Sequence, residues 1–145
     1  LNFMFGEPKI LFLYRRLNPS SAIDNGRFVN SNGEVFTFNY DNHQLYGINQ
    51  IYEFCKTLNT KTPLEEVSRQ EILNAYKLMS SISNIKIKKR LSGFDAGHKT
   101  LYAICDDEFV ELSVKGNEKG YINNETAQKI FDILKKNNFF DIKKD

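Results

Sequence analysis

The sequence predicts an α+β domain: an antiparallel β-sheet built from two hairpins plus flanking strands, with about three helices packed on one face. Three observations lead there. An unbroken apolar run of strand length lies within residues 9–16, and the apolar period is close to two over 27–40, 84–91 and 100–114, and close to 3.6 over 44–58, 68–82 and 124–137. The resulting order is strand, hairpin, two helices, strand, hairpin, helix, and single strands never alternate with helices as a parallel sheet requires. Finally, Ile23-Asp24-Asn25-Gly26-Arg27 and Phe94-Asp95-Ala96-Gly97-His98 each lead into hairpin sequence. This echo suggests a weak duplication of a hairpin-helix unit over 23–58 and 94–137, although turn chemistry alone can produce so few matches.

Each element has a local cause. Pro8 precedes the apolar run Ile10-Leu11-Phe12-Leu13-Tyr14 and Asn18-Pro19-Ser20-Ser21 follows it, which marks a first strand over 9–16. Asn32-Gly33 between two alternating segments is the signature of a two-residue hairpin turn. In that register Val29 faces Phe36 and Arg27 faces Phe38. Val29, Phe36, Phe38 and Tyr40 then share the core side, while Phe28, Val35 and Thr37 share the other.

Leu45, Ile48, Ile51, Tyr52, Cys55 and Leu58 form the apolar stripe of a first helix, which Pro63 bars from continuing. Ser68 stands three residues before Glu71, the spacing of a capping box, and opens a second helix with stripe Ile72, Leu73, Ala75, Tyr76, Met79 and Ile82. Residues 84–91 return to period two. The second hairpin turns at Asp106-Asp107, with Leu101, Ala103, Cys105, Val110, Leu112 and Val114 on one face and Tyr102, Ile104, Phe109 and Glu111 on the other. Asn123 or Asn124 caps a last helix with stripe Ala127, Ile130, Phe131 and Leu134. Lys135-Lys136 suit its negative end, and Phe139, Phe140 and Ile142 fold back onto the body.

Composition narrows the function classes. At 145 residues the chain suits one domain over 1–145, large enough to bury about two thirds of its unfolded surface. Twelve Phe against seven Tyr and no Trp predict a Phe-rich core. A net charge of +2 disfavours a dedicated polyanion binder. The longest apolar run near the start is far below the ~20 residues of a membrane-spanning helix. Leu1 follows no charged stretch and apolar core of an export signal, so a trimmed or processed chain is expected and the compartment stays open between envelope and cytoplasm. Cys55 and Cys105, fifty positions apart, lack metal or redox spacing and read as buried apolar residues, with a disulfide between them as the alternative in an oxidising compartment.

The chemistry-bearing candidates each have a plainer explanation. Asp95 and His98 could make a carboxylate-oriented imidazole base, joined by Asp24 and Arg27 through the echo, yet Asp-x-Gly is also ordinary turn chemistry. Lys86, Lys88 and Arg90 form a basic ridge that could follow a phosphate backbone, or protect an edge strand. Asp41, Asn42 and His43 suit a helix start better than a metal site. The acidic tip Asp106-Asp107-Glu108 lacks the alternate spacing of a calcium loop. Asn124-Glu125-Thr126 fits a glycosylation sequon and equally a helix cap.

No metal ligand set and no cofactor motif is expected. The leading expectation is a non-enzymatic bacterial interaction domain, the bacterial source resting on the Asn- and Lys-rich usage. It would be an exported envelope domain or a small inhibitor or immunity-type protein, binding a protein or small ligand, with a homodimer as a further option. Its expected contact patch is Phe28, Val35, Tyr102, Ile104 and Phe109, the side chains left over if helices cover only one face. A small hydrolase or transferase using Asp95 and His98 is the alternative, and a weak nucleic-acid binder through Lys86, Lys88 and Arg90 the third.

Overall fold

A computed structural model describes residues 8–18, 23–40, 47–81, 98–106, 108–113 and 125–140. Six strands form one antiparallel sheet: β1 (Ile10–Asn18), β2 (Ile23–Asn30), β3 (Glu34–Asn39), β4 (Glu65–Glu66), β5 (His98–Cys105) and β6 (Glu108–Ser113), in the order β4-β3-β2-β1-β5-β6. Three helices accompany it: α1 (Ile48–Leu58), α2 (Arg69–Lys77), continued by a 3-10 turn over Leu78–Ser81, and α3 (Glu125–Lys136). The α+β class, the antiparallel sheet and the helix count are as the sequence predicts. The expected strand over 84–91 lies outside the described residues, as do the caps at Asn123 and Asn124 and the side chain of Ile142.

The placement of the helices corrects the one-face expectation. Ile72, Ala75 and Met79 beyond α2's first turn, and Ala127, Ile130 and Leu134 of α3, pack with Phe12, Val29, Val35, Leu101, Ala103 and Leu112. On the opposite face, Ile51 and Cys55 of α1 cover Leu13, Phe28, Phe36, Phe38 and Ile104. The physical reason is that β1 reads as an unbroken apolar run and both hairpins carry large side chains on both faces. Two apolar faces need two covers.

The first hairpin also departs from its predicted register by one residue. Phe28 pairs with Phe36 and Val29 with Val35, because the loop holds three residues, 31–33, instead of two. Asn30 causes this. Its side-chain Oδ1 accepts from the backbone N–H of Asn32 (2.9 Å) and of Glu34 (3.1 Å), while Gly33 N–H donates to the Asn30 carbonyl and Gly33 takes φ +81°. That is a turn followed by a left-handed residue, the common three-residue hairpin. The slip exchanges partners across the sheet. Phe28 now stacks on Phe36 at 4.8 Å beneath α1, and Val29 and Val35 move to the α2–α3 side.

Elsewhere local chemistry and tertiary structure agree. The second hairpin keeps its predicted register, Leu101 opposite Leu112 and Cys105 opposite Glu108, with Asp106 at φ +52° in the turn. Ser68 Oγ accepts from Glu71 N–H at 3.2 Å. At the end of α3, Asn138 takes φ +61° and Phe139 N–H donates to the Leu134 carbonyl. This left-handed cap turns Phe139 into the core beside Leu134. Phe140 stacks on Phe131 at 4.5 Å and meets Tyr14 edge-on at 4.8 Å, so these two terminal aromatics fold back as expected.

Candidate functional site

The most distinctive place in the fold is where the two central strands part. β1 and β5 pair from Leu17 and His98 to Phe12 and Ala103, and there the ladder stops. Both strands nevertheless continue, β1 back to Ile10 and β5 on to Cys105. The cause is a bulge: against β2, Ile10 pairs with Asn30 and Phe12 with Val29, so Leu11 is an extra residue. An extra residue bends its strand and ends pairing locally. The result is a cleft of about 490 Å³, lined by residues from β1 and β5 and from helices on both faces. That volume falls in the range of small-ligand sites.

The walls are braced from both sides. From α2, Tyr76 sets its ring edge-on to Phe12 at 5.8 Å and donates its hydroxyl to the carbonyl of Ile104, a main-chain acceptor beyond the end of the β1–β5 ladder. Burial, and then a hydrogen bond with Cys105, push the Tyr76 phenol above its ordinary range, so it stays protonated as a donor. From α1, the Tyr52 ring meets Phe109 edge-on at 5.2 Å and carries the Lys56 ammonium at 4.9 Å from its centroid. Lys56 also pairs with Glu53 at 3.0 Å on the surface.

Asn59, at the C-terminal cap of α1, is buried; its Nδ2 donates to the Pro8 carbonyl at 2.7 Å and its Oδ1 accepts from Asn30 Nδ2 at 2.9 Å. One amide thus ties the helix end, the start of β1 and the first hairpin loop together. Replacing Asn30 with alanine is expected to cost about 2 kcal/mol in urea unfolding, since it strands two backbone donors and the Asn59 amide. A loss below about 0.5 kcal/mol would show that the tie is not structural.

Lys9, Lys56 and Asp106 bring two ammonium groups and one carboxylate to the lining, and Ile10, Leu11 and Ile104 bring apolar surface. The cleft therefore suits a polar ligand with negative charge and some apolar area.

The sequence-predicted residues fall differently. Phe28 and Val35 are fully buried, and on opposite faces. Ile104 is buried and lines the cleft, while Tyr102 and Phe109 are half-buried beside α1. The five do not form one exposed patch: Phe28, Tyr102, Ile104 and Phe109 pack on the α1 side and Val35 on the α2–α3 side. Asp95 lies outside the described residues, as do Lys86, Lys88 and Arg90. His98 begins β5, opposite Leu17, and its side chain is likewise outside them.

Asp24 and Arg27 sit inside β2 and not in a turn. Asp24 is locked to Arg15 on the α1 face. Arg27, on the other, donates Nη1 to Glu65 Oε2 at 3.3 Å and to the Asn138 carbonyl at 3.0 Å. Three positions apart on a strand, the two side chains point to opposite faces and do not converge. Cys55 and Cys105 are free and pack on opposite sides of the sheet, which overturns the disulfide alternative. Burial, with the charge of Asp24 added, pushes the Cys55 thiol far above its ordinary range. It is a packing group and no nucleophile.

Among the described residues, no three His, Cys, Asp or Glu side chains gather as a metal site, and no helix is long and apolar enough to cross a membrane. Comparison with protein-family models, with curated proteins and with solved structures gives no match. The cleft residues Lys9, Tyr52, Lys56, Asn59, Tyr76 and Asp106 carry no motif in the sequence. The one available signal was that Tyr52 and Tyr76 stand in apolar stripes, where a buried phenol must find a polar partner.

Proposed function

We propose that this chain is a non-enzymatic binding domain whose contact site is the cleft between the parted ends of β1 and β5. The observation that carries the reading is the parting itself. Central strands of a buried sheet pair along their length unless something interrupts them, and here a bulge opens the sheet where two helices contribute polar side chains. Within the cleft, burial raises the Tyr76 phenol, which stays a hydrogen-bond donor to the Ile104 carbonyl. An envelope component and a small inhibitor of immunity type remain the two biological roles this reading serves.

The test is nitrogen–proton NMR of the labelled protein titrated with amino acids, small carboxylates, phosphate and short peptides. Localised shifts at residues 9–11, 52–59 and 104–106, with the added compound recovered unchanged, are the expected result. Shifts centred elsewhere, none at all, or conversion of the compound would overturn it.

A further inference from the structure

Resting on the cleft as the contact site, we infer that its ligand is a short peptide with a free carboxylate, held by its own main chain between the parted strands. The argument starts from where the backbone groups point. Lys9 spends both of its main-chain groups on the first hairpin loop: its N–H donates to Ser31 Oγ at 3.1 Å and its carbonyl accepts from Ser31 N–H at 2.8 Å. In an extended chain successive residues turn these groups to opposite sides, so those of Ile10 are aimed away from β2 and toward the slot.

On the far wall, Ile104 stands two residues beyond Tyr102, which pairs with Leu13 across the β1–β5 ladder. Its main-chain groups therefore point back toward β1, where no strand residue among the described residues meets them. The carbonyl takes the Tyr76 hydroxyl instead. A carbonyl has two lone pairs, so a peptide N–H can join Tyr76 there without displacing it. Two parted strands with inward-facing main-chain groups match a third extended segment better than a compact organic molecule, as in recognition by strand addition.

Charge selects the carboxylate. Lys9 precedes Ile10 at the rim of the slot and Lys56, which also pairs with Glu53, reaches it from α1, while Asp106 is the one carboxylate among the described lining residues. An ammonium pair favours a terminal carboxylate over its uncharged amide. The side chains of Ile10, Leu11 and Ile104 and the ring of Tyr52 leave apolar contact for small aliphatic residues.

The experiment uses trialanine, its C-terminal amide, and trialanine N-methylated at the middle peptide nitrogen, each titrated by NMR, with acetate and phosphate alongside. Trialanine is expected to shift the amides of Ile10, Leu11 and Ile104. Amidation is expected to weaken it about tenfold, and N-methylation to abolish binding. The variants Lys9→Gln and Lys56→Gln should each weaken trialanine more than they weaken its amide.

Equal affinity for acid and amide, or retained binding of the N-methylated peptide, would overturn the peptide assignment. So would shifts from acetate or phosphate with none from trialanine, an outcome that leaves the cleft as the contact site. Silence from all five compounds would remove both readings.

Discussion

Replacing Arg15 with alanine is expected to destabilise the protein by about 3–5 kcal/mol, because it strands the Asp24 carboxylate inside the sheet–helix layer. The pair is bidentate: Nε donates to Oδ1 at 2.8 Å and Nη2 to Oδ2 at 2.7 Å, and only 6% of each side chain is exposed. Burial alone would disfavour the charged guanidinium. The hydrogen bond and charge of Asp24, with Tyr102 behind them, more than offset it.

The loss in the single variant is a desolvation cost and not the net worth of the pair. Asp24→Ala should therefore cost a similar amount by exposing the reverse imbalance. Removing both charges together, as Arg15→Met with Asp24→Leu, should recover most of the stability, since buried pairs are often near neutral against apolar replacements of similar volume. Urea unfolding of the three variants decides the matter. A single-variant loss below about 1 kcal/mol would mean that water reaches the pair.

How much of this was legible depends on whether the deciding contact is local. The register of the second hairpin follows from its own residues, since Asp106-Asp107 has turn composition and the alternation on both sides is regular. The stripes of α2 and α3 are local in the same sense. The first hairpin shows the limit: Asn32-Gly33 promises a two-residue turn, but the side chain of Asn30 claims two backbone donors and lengthens the loop. One carboxamide outside the turn dipeptide decided which face Phe28 occupies.

The cleft was harder still. In Ile10-Leu11-Phe12-Leu13-Tyr14 every position is apolar, so an extra residue at Leu11 leaves no break in any pattern. What the sequence did carry was misassigned. Large side chains on both faces of both hairpins signified a second covering layer, supplied by α1, and not an exposed patch. Similarly, Ile23-Asp24-Asn25-Gly26-Arg27 has turn composition but lies in a central strand, because long-range pairing with β1 and β3 overrides local preference.

Gly26 explains why a turn-like residue stands in that strand, and its replacement should be among the most damaging in the chain. It pairs with Arg15 on one side and Phe38 on the other. A Cβ built there would lie 1.8 Å from the Tyr14 carbonyl oxygen and 2.9 Å from the Phe38 ring. The ring could tilt; the carbonyl belongs to the central ladder and cannot withdraw without opening it. Gly26→Ala is therefore expected to cost at least about 3 kcal/mol, and Gly26→Val to prevent folding.

The contrast is Gly47, the N-cap of α1 at φ −72°, where an added Cβ meets nothing within 4 Å. Gly47→Ala should cost about 1 kcal/mol or less. Thermal and urea unfolding of the two alanine variants separates backbone crowding from the generic loss of a glycine. If Gly26→Ala proved as mild as Gly47→Ala, β1 and β2 could not approach as closely as the Phe12-to-Asn18 ladder requires.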